Sequence, residues 1–139
     1  MEGLERFLKA QEGAYDQALR EIISGRKQSH WMWYIFPQIQ GLGRSSTAKY
    51  YAIRDRNEAI KYYNDPILGT RLIEISNALL NLESNDPEVV MGWPDNLKLK
   101  SSMTLFALVS DNPIFSQVLN KYFDGEQDLL TVKFLSAGE

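Results

Sequence analysis

Apolar residues recur every three or four positions along most of this chain, which is the period of an amphipathic α-helix. The clearest stripe predicts a helix from Ala14 to Ser24, which Gly25 ends in the left-handed conformation; it consists of Tyr15, Ala18, Leu19, Ile22 and Ile23. Stripes of the same period predict further helices near residues 4–12, 46–53, 54–64, 66–83, 96–109, 114–123 and 129–135, and a short segment after Pro87.

Polar residues at the ends of these segments predict where the helices start and stop. Three starts share one pattern, an acid or amide N-cap before a proline at the first helical position: Asp65-Pro66, Asp86-Pro87 and Asn112-Pro113. We expect the helix that begins at Asp65-Pro66 to be the longest and the central one. Asp124-Gly125 and Asp128 are interpreted as the end of one helix and the N-cap of the last.

The fold class that follows is all-α. No segment alternates apolar and polar residues in the manner of a half-buried strand, and no Asn-Gly hairpin turn occurs. We expect an irregular array of about seven to nine short helices around one core. The 139 residues contain no repeat or linker, which predicts a single domain over residues 1–139.

Residues 26–46, RKQSHWMWYIFPQIQGLGRSS, form the most distinctive stretch of the chain. It contains the only histidine, His30, and two of the three tryptophans, Trp31 and Trp33. We expect Ser29 to cap a short buried helix with His30 and Trp31 in its first turn, ending at Phe36 because a proline follows. A buried strand is the alternative for so short an apolar run.

Composition excludes several classes of function. The absence of cysteine excludes disulfides and thiolate chemistry, and a single histidine excludes a His-rich metal site. Composition allows a Mg²⁺ or Ca²⁺ site made of carboxylates alone, but the chain has no D-x-D-x-D-G loop, so we predict no metal and no cofactor. The net charge of −3 disfavours a nucleic-acid partner. No apolar run is long enough to span a membrane and the N-terminal residues are too charged for a signal peptide, which predicts a cytoplasmic protein without a membrane partner.

The aromatic stretch is the first candidate for chemistry. Trp31 and Trp33 offer flat faces on which a ring can stack, and His30 is the candidate catalytic residue, because a neutral-range imidazole can transfer a proton. Whether a reaction is catalysed stays open at this stage. The alternative is that these aromatics belong to the core and His30 is an ordinary hydrogen-bonded residue.

The Gly-Leu-Gly turn that follows is a candidate anion site. Glycines before a helix start expose backbone N–H groups, Arg44 adds a guanidinium, and Ser45 and Ser46 add hydroxyl donors. The motif matches neither a P-loop nor a dinucleotide fingerprint. A simple turn with a serine N-cap is the alternative interpretation.

A second group of donors is predicted on the helix that starts near residue 96. Lys98 and Ser101 are three residues apart and share a face. Lys27, near the start of the 26–46 stretch, is a further candidate ligand-binding residue. The alternative here is a solvated helix start. The order of lysine and serine is the reverse of that in Ser-x-x-Lys enzymes, so we assign no nucleophile.

Together these residues lead to one functional hypothesis and an alternative. The hypothesis is a pocket for a small anionic, phosphorylated or nucleotide-like ligand, built from residues 26–46 and the helix near residue 96. It requires the two segments to meet, and a separation above about 15 Å would exclude it. The alternative is a non-catalytic protein-interaction module, which predicts Trp31, Trp33 or Trp93 exposed in an apolar patch.

Four blocks carry a resemblance to a known family: KQSHWMWYIFPQIQGLG, YYNDPILGTRL, DNLKLKSSMTLF and YFDGEQDLLT. In these blocks, and in their order, the chain resembles a small bacterial family of unknown function, some of whose members carry the name calpastatin. The resemblance implies a single, mainly α-helical domain and brings no assigned activity. Calpain inhibitors of that name are long, disordered and proline-rich, unlike this aromatic-rich chain.

Overall fold

The fold is all-α, as the periodicity predicts. A computed structural model describes residues 3–137; residues 1, 2, 138 and 139, which the predicted domain includes, lie outside the described range. Within that range the chain forms ten helices and no strand. In chain order they are α1 (Glu5–Glu12), α2 (Tyr15–Ile23), α3 (Met32–Ile35), α4 (Ser46–Tyr50), α5 (Arg56–Asn64), α6 (Leu68–Leu80), α7 (Pro87–Met91), α8 (Asp95–Val109), α9 (Ile114–Phe123) and α10 (Leu129–Ala137).

The count exceeds the predicted seven to nine because the three shortest segments, α3, α4 and α7, all form separate helices. Their four or five residues make few internal hydrogen bonds, so tertiary packing supplies most of their stability. A single parallel bridge between Ile39 and Ile53 is the only extended pairing among residues 3–137. None of the helices in that range combines the length and the apolar character needed to cross a membrane.

Three of the predicted end residues have the role expected of them. Gly25 follows α2 with a φ of 93°. The Asp65 carboxylate accepts the N–H groups of Ile67 and Leu68, both at 2.9 Å, and so caps the start of α6. Asp128 accepts the N–H of Thr131 at 3.1 Å and caps α10 in the same way.

The longest helix is α8, not the predicted helix of residues 66–83. That helix is shorter than predicted because residues 65–67 form the capping turn and α6 ends at Leu80. The 15 residues of α8 pack against α5, α7, α9 and α10. Leu99 and residues 101–106 are buried, so α8 has no solvent-facing stripe over this part of its length and forms the centre of the fold.

The aromatic stretch forms a helix rather than a strand, but it starts later than predicted. Trp31 occupies the N-cap position of α3 with no side-chain cap, and His30 lies outside the helix. Ser29 does not cap α3: its hydroxyl donates to the Glu21 carboxylate at 2.6 Å and accepts the side-chain amide of Gln17 at 2.7 Å. Trp31, Met32, Ile35 and Phe36 are buried in the core.

Candidate functional site

Glu21 of α2 organises the loop that leads into the aromatic stretch. Its carboxylate accepts the backbone N–H groups of Gln28 and Ser29 at 2.7 and 2.9 Å and the indole N–H of Trp31 at 2.9 Å. Burial by itself raises the pKa of Glu21, but hydrogen bonds from the Ser29 hydroxyl, Gln28 and Trp31 outweigh it and lower the pKa to about 2. The loop therefore wraps around a buried, ionised carboxylate.

Two lysines from distant parts of the chain share one carboxylate beside this loop. Lys27 Nζ lies 2.9 Å from one oxygen of Asp95, and Lys98 Nζ lies 3.3 Å from the other. Each ammonium also faces an indole ring, with 4.9 Å from Lys27 Nζ to the Trp31 centroid and 5.2 Å from Lys98 Nζ to that of Trp33. We call Lys27, Asp95, Lys98 and these two rings the lysine cluster.

The members of the lysine cluster differ in their access to solvent. The Lys27 side chain is only 7% exposed, whereas the Lys98 side chain is 28% exposed. Two ammonium groups against the Asp95 carboxylate leave one surplus positive charge on these three groups, and the ionised Glu21 carboxylate lies against the indole N–H of Trp31. Partial burial weakens the screening of these charges by solvent and salt.

A shallow cleft adjoins the cluster on the side of α7. It has a volume of about 360 Å³ and is lined by Arg26, Lys27, Glu88, Val89 and Gly92. The backbone N–H of Lys27 donates to the carbonyl of Val90 at 2.7 Å, which holds the loop after α2 against α7. Besides Lys27, the lining contains one exposed guanidinium, that of Arg26, and one carboxylate, that of Glu88.

The tryptophans and the histidine occupy three different environments. Trp31 is 2% exposed, with Lys27 over one face, so it is a core residue. Trp33 is partly buried under Lys98, and Trp93 is 72% exposed. His30 is exposed in the loop beside the cluster, and its carbonyl accepts the Tyr34 hydroxyl at 3.4 Å.

The predicted anion turn does not reach the lysine cluster. Arg44, Ser45 and Ser46 are exposed, and within residues 3–137 no hydrogen bond, ion pair or ring contact joins them to that cluster. The Ser45 hydroxyl accepts the N–H of Ala48 at 3.1 Å, which confirms the predicted N-cap of α4. Gly43 is explained by packing, because a Cβ there would overlap the Ala48 side chain.

Ser101 is also directed away from the lysine cluster. It is buried, and its hydroxyl lies 3.2 Å from both the Leu97 carbonyl and an Asp128 carboxylate oxygen. The contact with Asp128 joins α8 to the cap of α10. Ser102 is fully buried, and no partner for its hydroxyl is described among residues 3–137.

The residues that sequence reasoning missed are the two acids that assemble the site. Asp95 precedes Lys98 by three positions, and this spacing is itself a signal for a helical ion pair. Glu21 follows Ala18 by three positions and so falls on the buried side of α2, where an acid requires partners. Neither pattern indicates which residues elsewhere in the chain contact these two acids.

Comparison with known proteins places the whole chain in one family. A family described as a protein of unknown function, DUF1810, matches residues 1–135. The chain is similar to the conserved hypothetical protein Rv1873 from Mycobacterium tuberculosis, whose crystal structure superposes with a TM-score of 0.95 at 42% identity, over 97% of each chain. A search of curated proteins gives no match. The early resemblance to a bacterial family of unknown function is thus confirmed, and the chain belongs to the DUF1810 family.

Proposed function

We propose that this protein binds a small anionic ligand, of the phosphorylated or nucleotide-like class, at the lysine cluster. One observation carries the proposal: Lys27 and Lys98 converge on the single carboxylate of Asp95. This convergence joins the aromatic stretch to the start of α8, as the functional hypothesis requires. The surplus charge lies at a partly exposed position beside indole rings.

Lys98 has N–H donors available for a ligand. An ammonium group has three N–H donors, and Asp95 is the only polar partner described for Lys98 within residues 3–137. An incoming phosphate oxygen can therefore bind Lys98 without displacing Asp95. Arg26, exposed in the adjoining cleft, provides a second cation for the same ligand.

The remaining predicted site residues have weaker support. His30 is the proposed proton-transfer group, since its side chain is exposed in the loop that carries Lys27. Arg44, Ser45, Ser46 and Ser101 stay predictions from the sequence, because the contacts of residues 3–137 do not bring them to the cluster.

The experiment that tests the proposal is a thermal-shift series with inorganic phosphate, pyrophosphate, AMP and adenosine. A ligand at a hundred times its Kd stabilises the fold by about 2.7 kcal/mol, which raises Tm by roughly 8 °C for a domain of this size. We expect a shift with the phosphorylated compounds and none with adenosine. Lys98→Gln should abolish the shift because it removes the ammonium charge that attracts the phosphate.

A matched control variant is Lys121→Gln. Lys121 is likewise partly buried, with its ammonium 5.4 Å from the Tyr122 ring and 2.7 Å from the Leu82 carbonyl, but it lies on α9 outside the cluster. This variant should keep the full response to phosphate. Equal responses of wild type and Lys98→Gln would refute the proposal, as would the loss of the response in Lys121→Gln.

A second candidate function is a protein-interaction module, and one observation favours it. Val89, Trp93 and Leu97 are 56, 72 and 52% exposed, although all three are large apolar side chains within nine residues. Apolar groups of this kind cluster at protein–protein contacts. If they form one continuous patch, the native protein will bind the dye ANS, and Trp93→Ser will reduce that binding. Absence of dye binding in wild type would count against this function.

A further inference from the structure

A second cavity lies beside α8, and its lining includes Lys100, two positions after Lys98. It is a groove of about 640 Å³ where α8, α9 and the start of α10 meet. Its lining includes Leu119 of α9 and Leu129 and Leu130 of α10. None of the residues of the lysine cluster lines this groove.

Two of the leucines in this groove are not explained by the fold. Leu129 is 79% exposed and Leu130 is 52% exposed, while the buried residues of α10 are Thr131 and Leu135. A leucine left in water forgoes the stabilisation that burial of its side chain would give. Adjacent exposed leucines that line a groove are therefore typical of a surface that another chain covers.

The charged residues around the groove favour a partner segment of positive charge. Glu126 and Asp128 line it, and Asp124 lies next to the lining residue Gly125 at the end of α9. Lys100 is the only basic residue in the lining, so acidic groups predominate. Lys133, one turn beyond Leu129, is exposed but does not line the groove.

The two acidic residues that line the groove differ in whether their carboxylates already have hydrogen-bond partners. The Asp128 carboxylate is engaged with Ser101 and with Thr131, whose hydroxyl lies 2.5 Å away. Glu126 is exposed, and no side-chain partner is described for it within residues 3–137. Glu126 is therefore the acid available to an incoming base.

We propose that this groove docks a basic amphipathic helical segment of a partner protein. Its apolar residues would cover Leu129 and Leu130, and its lysines or arginines would meet Glu126 and Asp124. This is the helix-in-groove mode of recognition, in which apolar anchors supply the affinity and flanking charges select the partner.

The test uses two fluorescein-labelled peptides of about 14 residues with leucines at helical spacing, one with lysine and one with glutamate at the polar positions. Fluorescence anisotropy with the full chain should show binding of the lysine peptide and not of the glutamate peptide. Leu129→Ala and Leu130→Ala should each weaken the lysine peptide about tenfold. Both leucines are exposed, so these variants should fold normally.

Charge reversal and an exposed aliphatic residue outside the groove make the test specific. Glu126→Lys should weaken binding of the lysine peptide and create binding of the glutamate peptide. Ile67→Ala removes an aliphatic side chain that is 48% exposed and lies outside the groove, and it should leave binding unchanged. The proposal is overturned if both peptides bind wild type alike, if the lysine peptide does not bind, or if Ile67→Ala weakens it as Leu129→Ala does. Sedimentation equilibrium that shows a dimer lost in Leu129→Ala would also overturn it, because a second copy would then occupy the groove.

Discussion

Replacement of Glu21 by glutamine should destabilise the protein in a way that depends on pH. The variant mimics the protonated carboxyl, so its difference from wild type measures how strongly the fold prefers the charged form. Folding lowers the pKa of Glu21 from its ordinary value of 4.5 to about 2. Each pKa unit corresponds to about 1.4 kcal/mol, so the charged form contributes about 3 kcal/mol at neutral pH.

The sign follows from the direction of the shift. A carboxyl whose pKa is lower in the folded protein stabilises the fold fully above its unfolded pKa, and that contribution is lost as the pH falls through the folded pKa. The difference between wild type and Glu21→Gln should therefore be about 3 kcal/mol at pH 7 and about 1.5 kcal/mol at pH 3.

Urea unfolding of both proteins at pH 7 and pH 3 measures this difference, because other titrating groups contribute equally and cancel. Glu12→Gln, on the exposed side of α1, is the control and should change stability by less than about 0.5 kcal/mol at either pH. The indole N–H signal of Trp31 provides a second measurement, since it should titrate with a midpoint near pH 2. A midpoint near 4.5, or a stability difference that does not change with pH, would refute this account of Glu21.

Three other substitutions test the core of the fold, each by urea unfolding at pH 7. Glu58→Gln should lower the free energy of unfolding by about 3 kcal/mol, because Glu58 is a buried carboxylate that accepts hydrogen bonds from two arginine side chains. A loss below about 1 kcal/mol would contradict this. Gly69→Ala should prevent stable folding, since its Cβ would overlap the Tyr63 carbonyl oxygen; a native-like Tm would show that α5 and α6 can separate. Tyr122→Phe removes a 2.6 Å hydrogen bond to the buried Leu79 carbonyl and should cost about 1 kcal/mol or more, so an unchanged midpoint would disprove that bond.

The proposed anion site and the stability of the loop are linked through Glu21. This carboxylate holds residues 28–31 in place, and the neighbouring Lys27 reaches Asp95 from the same loop. Loosening the loop should therefore weaken anion binding as well as folding. Lys98→Gln, in contrast, should affect anion binding with little change in stability, because Lys98 is partly exposed on the first turns of α8.

The sequence by itself determined the fold class and most helix boundaries. Helical period and capping act over three or four residues, so they can be recognised without knowledge of the rest of the chain. The caps at Asp65 and Asp128 and the left-handed Gly25 were predicted in this way and are confirmed. The family was recognisable for a similar reason, since its distinctive blocks are contiguous segments.

Tertiary structure decided which partners the polar side chains take. Ser29 is a plausible N-cap from its position, but Glu21, buried eight residues away, takes its hydroxyl instead. Lys27 and Asp95 are separated by 68 positions, and no local pattern pairs them. Ser101 shares a predicted face with Lys98, yet α10 covers that part of α8 and Asp128 accepts its hydroxyl. These pairings depend on the path of the whole chain, because a buried polar group forms its hydrogen bonds with whatever the fold places beside it.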